Sequence, residues 1–200
     1  MSVEVEPVGS RRSLREFIEL PYRLHSNAEQ WIPPLRIERR LFLSPRFNAF
    51  FKHGEAQLFL ARRDGRVVGR ISAPIDTAFN DFHENAWGMF GFLELEDDAE
   101  VAQALIAAAQ AWLAERGRRH MIGPMDFTMN DECGILIEGF DEPSMILEPW
   151  HPPYYRELIE GQGLEKTIDL LMWELWFGDL KEGDSFTPMI HAAAQHSRDE

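Results

Sequence analysis

Cysteine is nearly missing from this chain. Cys133 is the one thiol in 200 residues, so no disulfide can form within it, which fits a reducing compartment. Metal signatures are missing too. The seven histidines, His25, His53, His83, His120, His151, His191 and His196, fall in no HxH, HxxxH or HExxH pattern, and there is no CxxC, so no metal site is expected. Ser144 sits in no GxSxG elbow, which argues against a serine hydrolase. No apolar run approaches the ~20 residues of a membrane-spanning helix. The first residues, Met1 to Glu6, have neither the basic nor the apolar region of a secretory leader. Together these point to a soluble, cytoplasmic protein. Basic residues are scarce, with 20 Lys and Arg against 34 Asp and Glu and a net charge of −14. A polyanion would meet a repulsive surface, so no nucleic-acid partner is expected; Arg36 to Lys52 is the one local exception.

Apolar material is not scarce. At 44% hydrophobic and 12% aromatic residues, the chain can build one large core. Val3-Glu4-Val5-Glu6-Pro7-Val8 alternates as a short strand. Ser10 or Ser13 can cap a helix with Leu14, Phe17, Ile18 and Tyr22 on one stripe, which Pro21 should break or kink. Trp31-Ile32-Pro33-Pro34-Leu35 reads as an aromatic-anchored loop, and Ile37 to Leu43 as a short helix. Phe47, Phe50 and Phe51 read either as a lid on the core or as a ligand-binding patch.

Ala56 to Arg62 and Arg66 to Ala73 have period two around Asp64-Gly65, a strong hairpin signal. Thr77 to Ala86 is polar and turn-rich. Trp87 to Leu95 reads as a third antiparallel strand, and Glu96-Asp97-Asp98 as a turn into a helix ending at Arg116-Gly117. In that helix Val101, Leu105, Ala108, Trp112 and Leu113 share a face, Asp97 with Glu100 resembles a capping box, and Gly117 suits the position after the helix. His120 to Met125 reads as a buried strand, Asp126 to Gly134 as a polar loop and Ile135 to Phe140 as strand or loop. Tyr154 to Ile159 follows rigid prolines as a helix, and Thr167 to Phe177 reads as a long apolar strand. The expected organisation is a domain over 1–178, with 179–200 a linker or helix start leading into a second half.

Several stretches carry a family resemblance. They are Phe50-Phe51-Lys52-His53-Gly54-Glu55, Asp64-Gly65-Arg66-Val67-Val68-Gly69-Arg70-Ile71, Gly88-Met89-Phe90-Gly91-Phe92 and Gly123-Pro124-Met125-Asp126-Phe127. Asn130-Asp131-Glu132-Cys133-Gly134, Gly139-Phe140-Asp141 and Pro152-Pro153-Tyr154-Tyr155 complete the set. With the element order, they resemble the GNAT acyltransferases, and within them the N-terminal half of a bacterial two-domain family that includes ceramide synthases. The resemblance implies an α/β (α+β) fold, with a mixed, mainly antiparallel central sheet and helices on both faces. It implies N-acyl transfer from acyl-CoA or a related thioester to a small or lipid-like amine. A second GNAT-like half or a homodimer partner would accompany this chain.

In GNAT enzymes the acyl-CoA pyrophosphate lies on backbone N–H groups between the fourth strand and the central helix, reached through glycines. Here that turn is Glu94-Leu95-Glu96-Asp97-Asp98. It has no glycine, and four carboxylates would confront a pyrophosphate. The residues thus imply no firm cofactor, and acyl-CoA enters only as a co-substrate. The expected role is an acceptor-binding or scaffolding half; the alternative is a non-catalytic module packed against a partner domain. A tyrosine acid four residues before a Gly-aromatic pair is replaced by Ile159 before Gly163-Leu164.

Asp126, Asp131 and Glu132 are candidate catalytic carboxylates, because one raised by burial can take a proton from an attacking amine. Asn130, His151, Tyr154 and Tyr155 are candidate substrate contacts. Asp and Asn in such a loop also commonly bond local backbone. Cys133, among acidic neighbours that oppose thiolate formation, reads as inert.

Overall fold

The computed structural model describes residues 2–172. Its contacts divide the chain into a compact unit, Met1–Lys166, and a second unit, Thr167–Glu200. Within the second unit, 167–172 has no regular secondary structure. The rest of the strand expected over 167–177, including Trp173 and Trp176, lies outside the described residues.

In the first unit a four-stranded antiparallel sheet runs β1 (Glu4–Pro7), β2 (Gly54–Arg63), β3 (Arg66–Asp76) and β5 (Gly91–Leu95), in that order across the sheet. Asp64 and Gly65 turn the β2–β3 hairpin with φ of 52° and 76°. Both central residues are left-handed, as a two-residue turn matching strand twist requires. The strand expected over Trp87–Leu95 is in fact two. β4 (Gly88–Met89) leaves the main sheet to pair in parallel with β6 (Met121–Ile122), and Phe90 divides it from β5. Only two residues of the expected His120–Met125 strand pair in this way.

Side chains alternate across the sheet because successive strand residues face opposite ways. Phe59, Ala61, Ile71, Ala73, Leu93 and Leu95 pack against α4 (Ala99–Glu115) through Val101, Leu105, Ala109 and Leu113. Leu60 and Phe92 pack on the other face with Phe17 and Ile18 of α1 (Arg11–Leu24). Helices therefore cover both faces. Gly117, with φ of 75°, ends α4 as its sequence implied.

Ser10 caps α1 in a reciprocal box with Ser13. Pro21 does not end α1, which continues to Leu24. Proline has no N–H to give Phe17 O, and the Arg70 guanidinium donates to that carbonyl instead, at 2.7 Å. Beyond α1, Trp31 packs edge-on against Tyr22 at 5.4 Å, which anchors the proline loop. α2 (Arg36–Phe42) and a single 3₁₀ turn (Ala49–Lys52) follow. Phe50 is buried and stacks on Phe127 at 4.7 Å, whereas Phe47 is exposed. The segment after β3, read as turns, contains α3 (Thr77–Phe82), started by Asp76 accepting from the Ala78 and Phe79 amides. α5 (Tyr154–Glu160) packs beside α4.

Candidate functional site

The open edge of β5 is the natural place for an extended ligand to add hydrogen bonds to the sheet. Side chains already occupy it. Phe92, with φ of 47° at a register shift opposite Arg70 and Ser72, turns its N–H out of the ladder. The Asp126 carboxylate accepts that N–H at 2.6 Å. Leu95 N–H donates to the Tyr155 hydroxyl at 3.0 Å, and the Tyr154 hydroxyl donates to Leu95 O at 2.9 Å. Gly91 is needed here because a Cβ would run into the Met125 carbonyl.

The helix start after β5 is closed in the same way. Asp98, not Asp97, is the cap, and it accepts from the Glu100 and Val101 amides at 2.9 and 3.3 Å. Asp98 precedes the first helical residue and so has the extended backbone a cap needs. The four carboxylates of the turn also do not act together. Asp98 pairs with Arg63 at 2.7 Å, and Glu96 with Arg66 and Arg23. Glu94 points into the α1 side of the sheet. What obstructs a phosphate here is the engagement of the amides, more than summed negative charge.

Glu94 centres the first of two buried polar clusters. Its Oε2 meets His25 Nε2 at 2.7 Å and accepts from the Tyr155 hydroxyl at 2.8 Å, and Arg70 lies 3.8 Å from Oε1. Burial would raise its pKa, but the charges of His25 and Arg70 and the His25 hydrogen bond outweigh it, holding the carboxyl at about 2. His151 stacks on Tyr155 at 4.7 Å, and burial pushes its pKa down to about 4, so it is neutral at neutral pH. Its Nδ1 accepts the Leu136 N–H at 3.4 Å. Burial raises Tyr154 to about 12 and Tyr155 well above its ordinary value.

Asp126 centres the second cluster. Arg39 reaches from α2 to Glu132 at 3.0 Å, Glu38 at 2.7 Å and Asp126 at 3.6 Å. One guanidinium is thus shared by three carboxylates. Burial, then the charge of Glu132, pushes Asp126 up to about 8, against the opposing pull of the Phe92 N–H, Arg70 and Arg39. Asp131 turns back to accept from the Thr128 N–H and hydroxyl at 3.0 and 2.7 Å. Asn130 is exposed on the same loop, and Cys133 is raised to about 11 by burial and its acidic neighbours. Among the described residues no group of three His, Cys, Asp or Glu side chains is placed to hold a metal.

The structure therefore separates the candidate residues into two groups. Asp126 and Glu132 gather around Arg39, with Asp131 and the exposed Asn130 on the loop beside them, and His151, Tyr154 and Tyr155 gather around Glu94. Sequence reasoning missed His25, Arg39 and Arg70 and read Glu94 only as a turn charge. A usable signal existed: Arg70 and Glu94 are opposite charges on inward positions of adjoining strands, and they are cross-strand partners.

This sheet and its helices define the GNAT fold. A tandem GNAT protein from the clavulanic acid biosynthesis pathway superposes with a TM-score of 0.52 at 13% identity, covering 81% of this chain and 43% of that one. An aminoglycoside acetyltransferase from an uncultured soil metagenomic sample, in complex with sisomicin, gives 0.50 at 11% identity, covering 87% and 97%. No family model matches the chain. By sequence it is 44% identical over 173 residues to a protein of Caulobacter vibrioides named bacterial ceramide synthase, covering 86% of this chain and 45% of that protein. Protein YghO of Escherichia coli is 39% identical over 181 residues, covering 90% and 45%. The chain is similar to these proteins and spans about half the length of the curated relatives it matches. No helix among the described residues is long and apolar enough to cross a membrane.

Proposed function

We propose that this chain is the acceptor-side or scaffolding half of an N-acyltransferase that moves an acyl group from a thioester to an amine. The observation that carries this reading is the closed edge of β5 and start of α4. The amides of Phe92, Leu95, Glu100 and Val101 are all engaged by side chains of the same chain. A nucleotide-bearing thioester would find few free donors there, so the donor belongs to a second GNAT-like half or a partner copy.

On the acceptor side, Asp126 and Glu132 share Arg39 and border the loop with Asp131 and Asn130. The amine nitrogen attacks the thioester carbonyl carbon, the C–S bond breaks, and sulfur leaves as a thiolate. The proton lost by the amine goes to a carboxylate of this pair, and a base poised near neutral pH suits that task. Asp126, the more buried of the two, would hold the proton, and Glu132 is the more exposed. The name of the Caulobacter relative supports a long-chain amino alcohol as acceptor.

Isothermal titration with palmitoyl-CoA and with sphinganine tests the division. The 200-residue chain is expected to bind the amine and not the thioester; micromolar palmitoyl-CoA binding would overturn the reading.

A further inference from the structure

Charge is unevenly distributed along this acidic chain. Residues 8–53 hold nine basic and four acidic side chains, a net of +5 within a total of −14. Most of these lie on α1, α2 and the turn that follows. On α2, Arg36 and Arg40 are one turn apart and form a basic row. Ile37 and Leu41 form the adjoining apolar row. Glu19 of α1 faces this surface; the Arg36 hydrogen bond holds its carboxyl below the usual range, joined by the charges of Arg36, Arg15 and Arg40.

Among the described residues nothing covers the apolar row. Ile37 is 61% exposed, Leu41 44% and Phe47 63%. With Phe42 and with Glu38, whose carboxylate is paired with Arg39, they line an open groove of about 460 Å³, and the Arg46 guanidinium lies 5.4 Å over the Phe47 ring. Side chains this apolar, bordered by guanidinium groups, suit a surface that is negative outside and hydrocarbon beneath. Nucleic acid fits less well, since beside the exposed Phe47 ring the face is aliphatic, and Ile37 and Leu41 offer bases nothing to stack on. The acidic remainder of the chain would turn this face toward any negative plane.

We propose that the α1–α2 face docks peripherally on an anionic lipid bilayer. Ile37, Leu41 and Phe47 enter the interface while Arg40 and Arg46 meet the headgroups, Arg36 being held by Glu19 at the edge of the face. This docking is independent of the donor-site argument above.

Co-sedimentation of the whole chain with phosphatidylglycerol–phosphatidylcholine vesicles, against phosphatidylcholine alone, tests it. Binding is expected only to the anionic vesicles and should weaken with salt. Arg40→Ala should reduce it about fivefold, and Phe47→Glu should abolish it. Both side chains are exposed, and circular dichroism will verify that the variants fold. Absent or equal binding to the two vesicle types, or unchanged binding by both variants, overturns the proposal. Without vesicle binding, dimerisation lost in Phe47→Glu assigns the face to a second copy, and salt-sensitive binding to a DNA duplex assigns it to nucleic acid; either result also overturns the proposal.

Discussion

Two buried carboxylates touch β5, and their environments push them in opposite directions. Glu94 is held at about 2 because His25 and Arg70 override burial. Asp126, bonded to the same strand two residues earlier, is raised to about 8 because burial and Glu132 prevail over its partners. Burial is common to both, so the difference lies in the supply of compensating charge. A carboxylate with its own donors is fixed in one protonation state and serves the fold. One that shares its cation with other acids can take and release a proton near neutral pH, which is why Asp126 is the better chemical candidate.

The comparison fails if the two sites respond alike to mutation. Glu94→Ala strands His25 and Arg70 and should lower stability by about 3–5 kcal/mol in urea unfolding; a loss below ~1 kcal/mol would mean those groups do not depend on it. Acid provides the next largest effect. The Glu94 carboxyl is depressed in the folded state, so its contribution is present above about 4.5 and disappears as pH falls toward about 2, for a loss of about 3 kcal/mol. Denaturation midpoints of wild type and Glu94→Gln should therefore converge over that range.

Asp126 should behave in the opposite sense. Its folded pKa is raised, so its contribution is complete below about 3.8 and is lost as pH rises toward about 8. His151, depressed to about 4, loses its contribution as pH falls from 6.5 and masks this trend in the wild type alone. The difference between Asp126→Asn and wild type removes that masking. The variant should gain about 1–3 kcal/mol relative to wild type by pH 8, and a variant less stable at pH 8 than at pH 4, relative to wild type, would refute the assignment. The smallest effect lies outside both clusters. Asp98→Ala should cost about 1 kcal/mol through the lost cap, with no change in either pH trend.

How much of this was legible in the sequence depended on whether the cause was local. The Asp64-Gly65 hairpin, the α4 stripe and the Gly117 stop follow from short-range backbone chemistry, and each formed where the residues implied. The α4 cap did not: Asp98 takes the place expected of Asp97, because the two are equivalent until the helix start is fixed. The clusters were harder still. His25 and Glu94 are 69 residues apart, as separation in sequence goes, and nothing local to either announces the other. The lid reading of Phe50 held because Phe127 stacks on it, while Phe47, three residues earlier in the same aromatic run, was left outside.

Pro21 has a consequence beyond keeping α1 helical. By leaving the Phe17 carbonyl open it creates a single notch along an otherwise self-satisfied rod, and Arg70 is the tooth that fits it. With His25 on Glu94 and Arg62 on Glu16 at 2.5 Å, this indexes the rod against the sheet. A rotation or slide by one residue would leave a buried cation without its acceptor, so α1 has one seating, and the Arg36–Glu19 pair ties α2 to it.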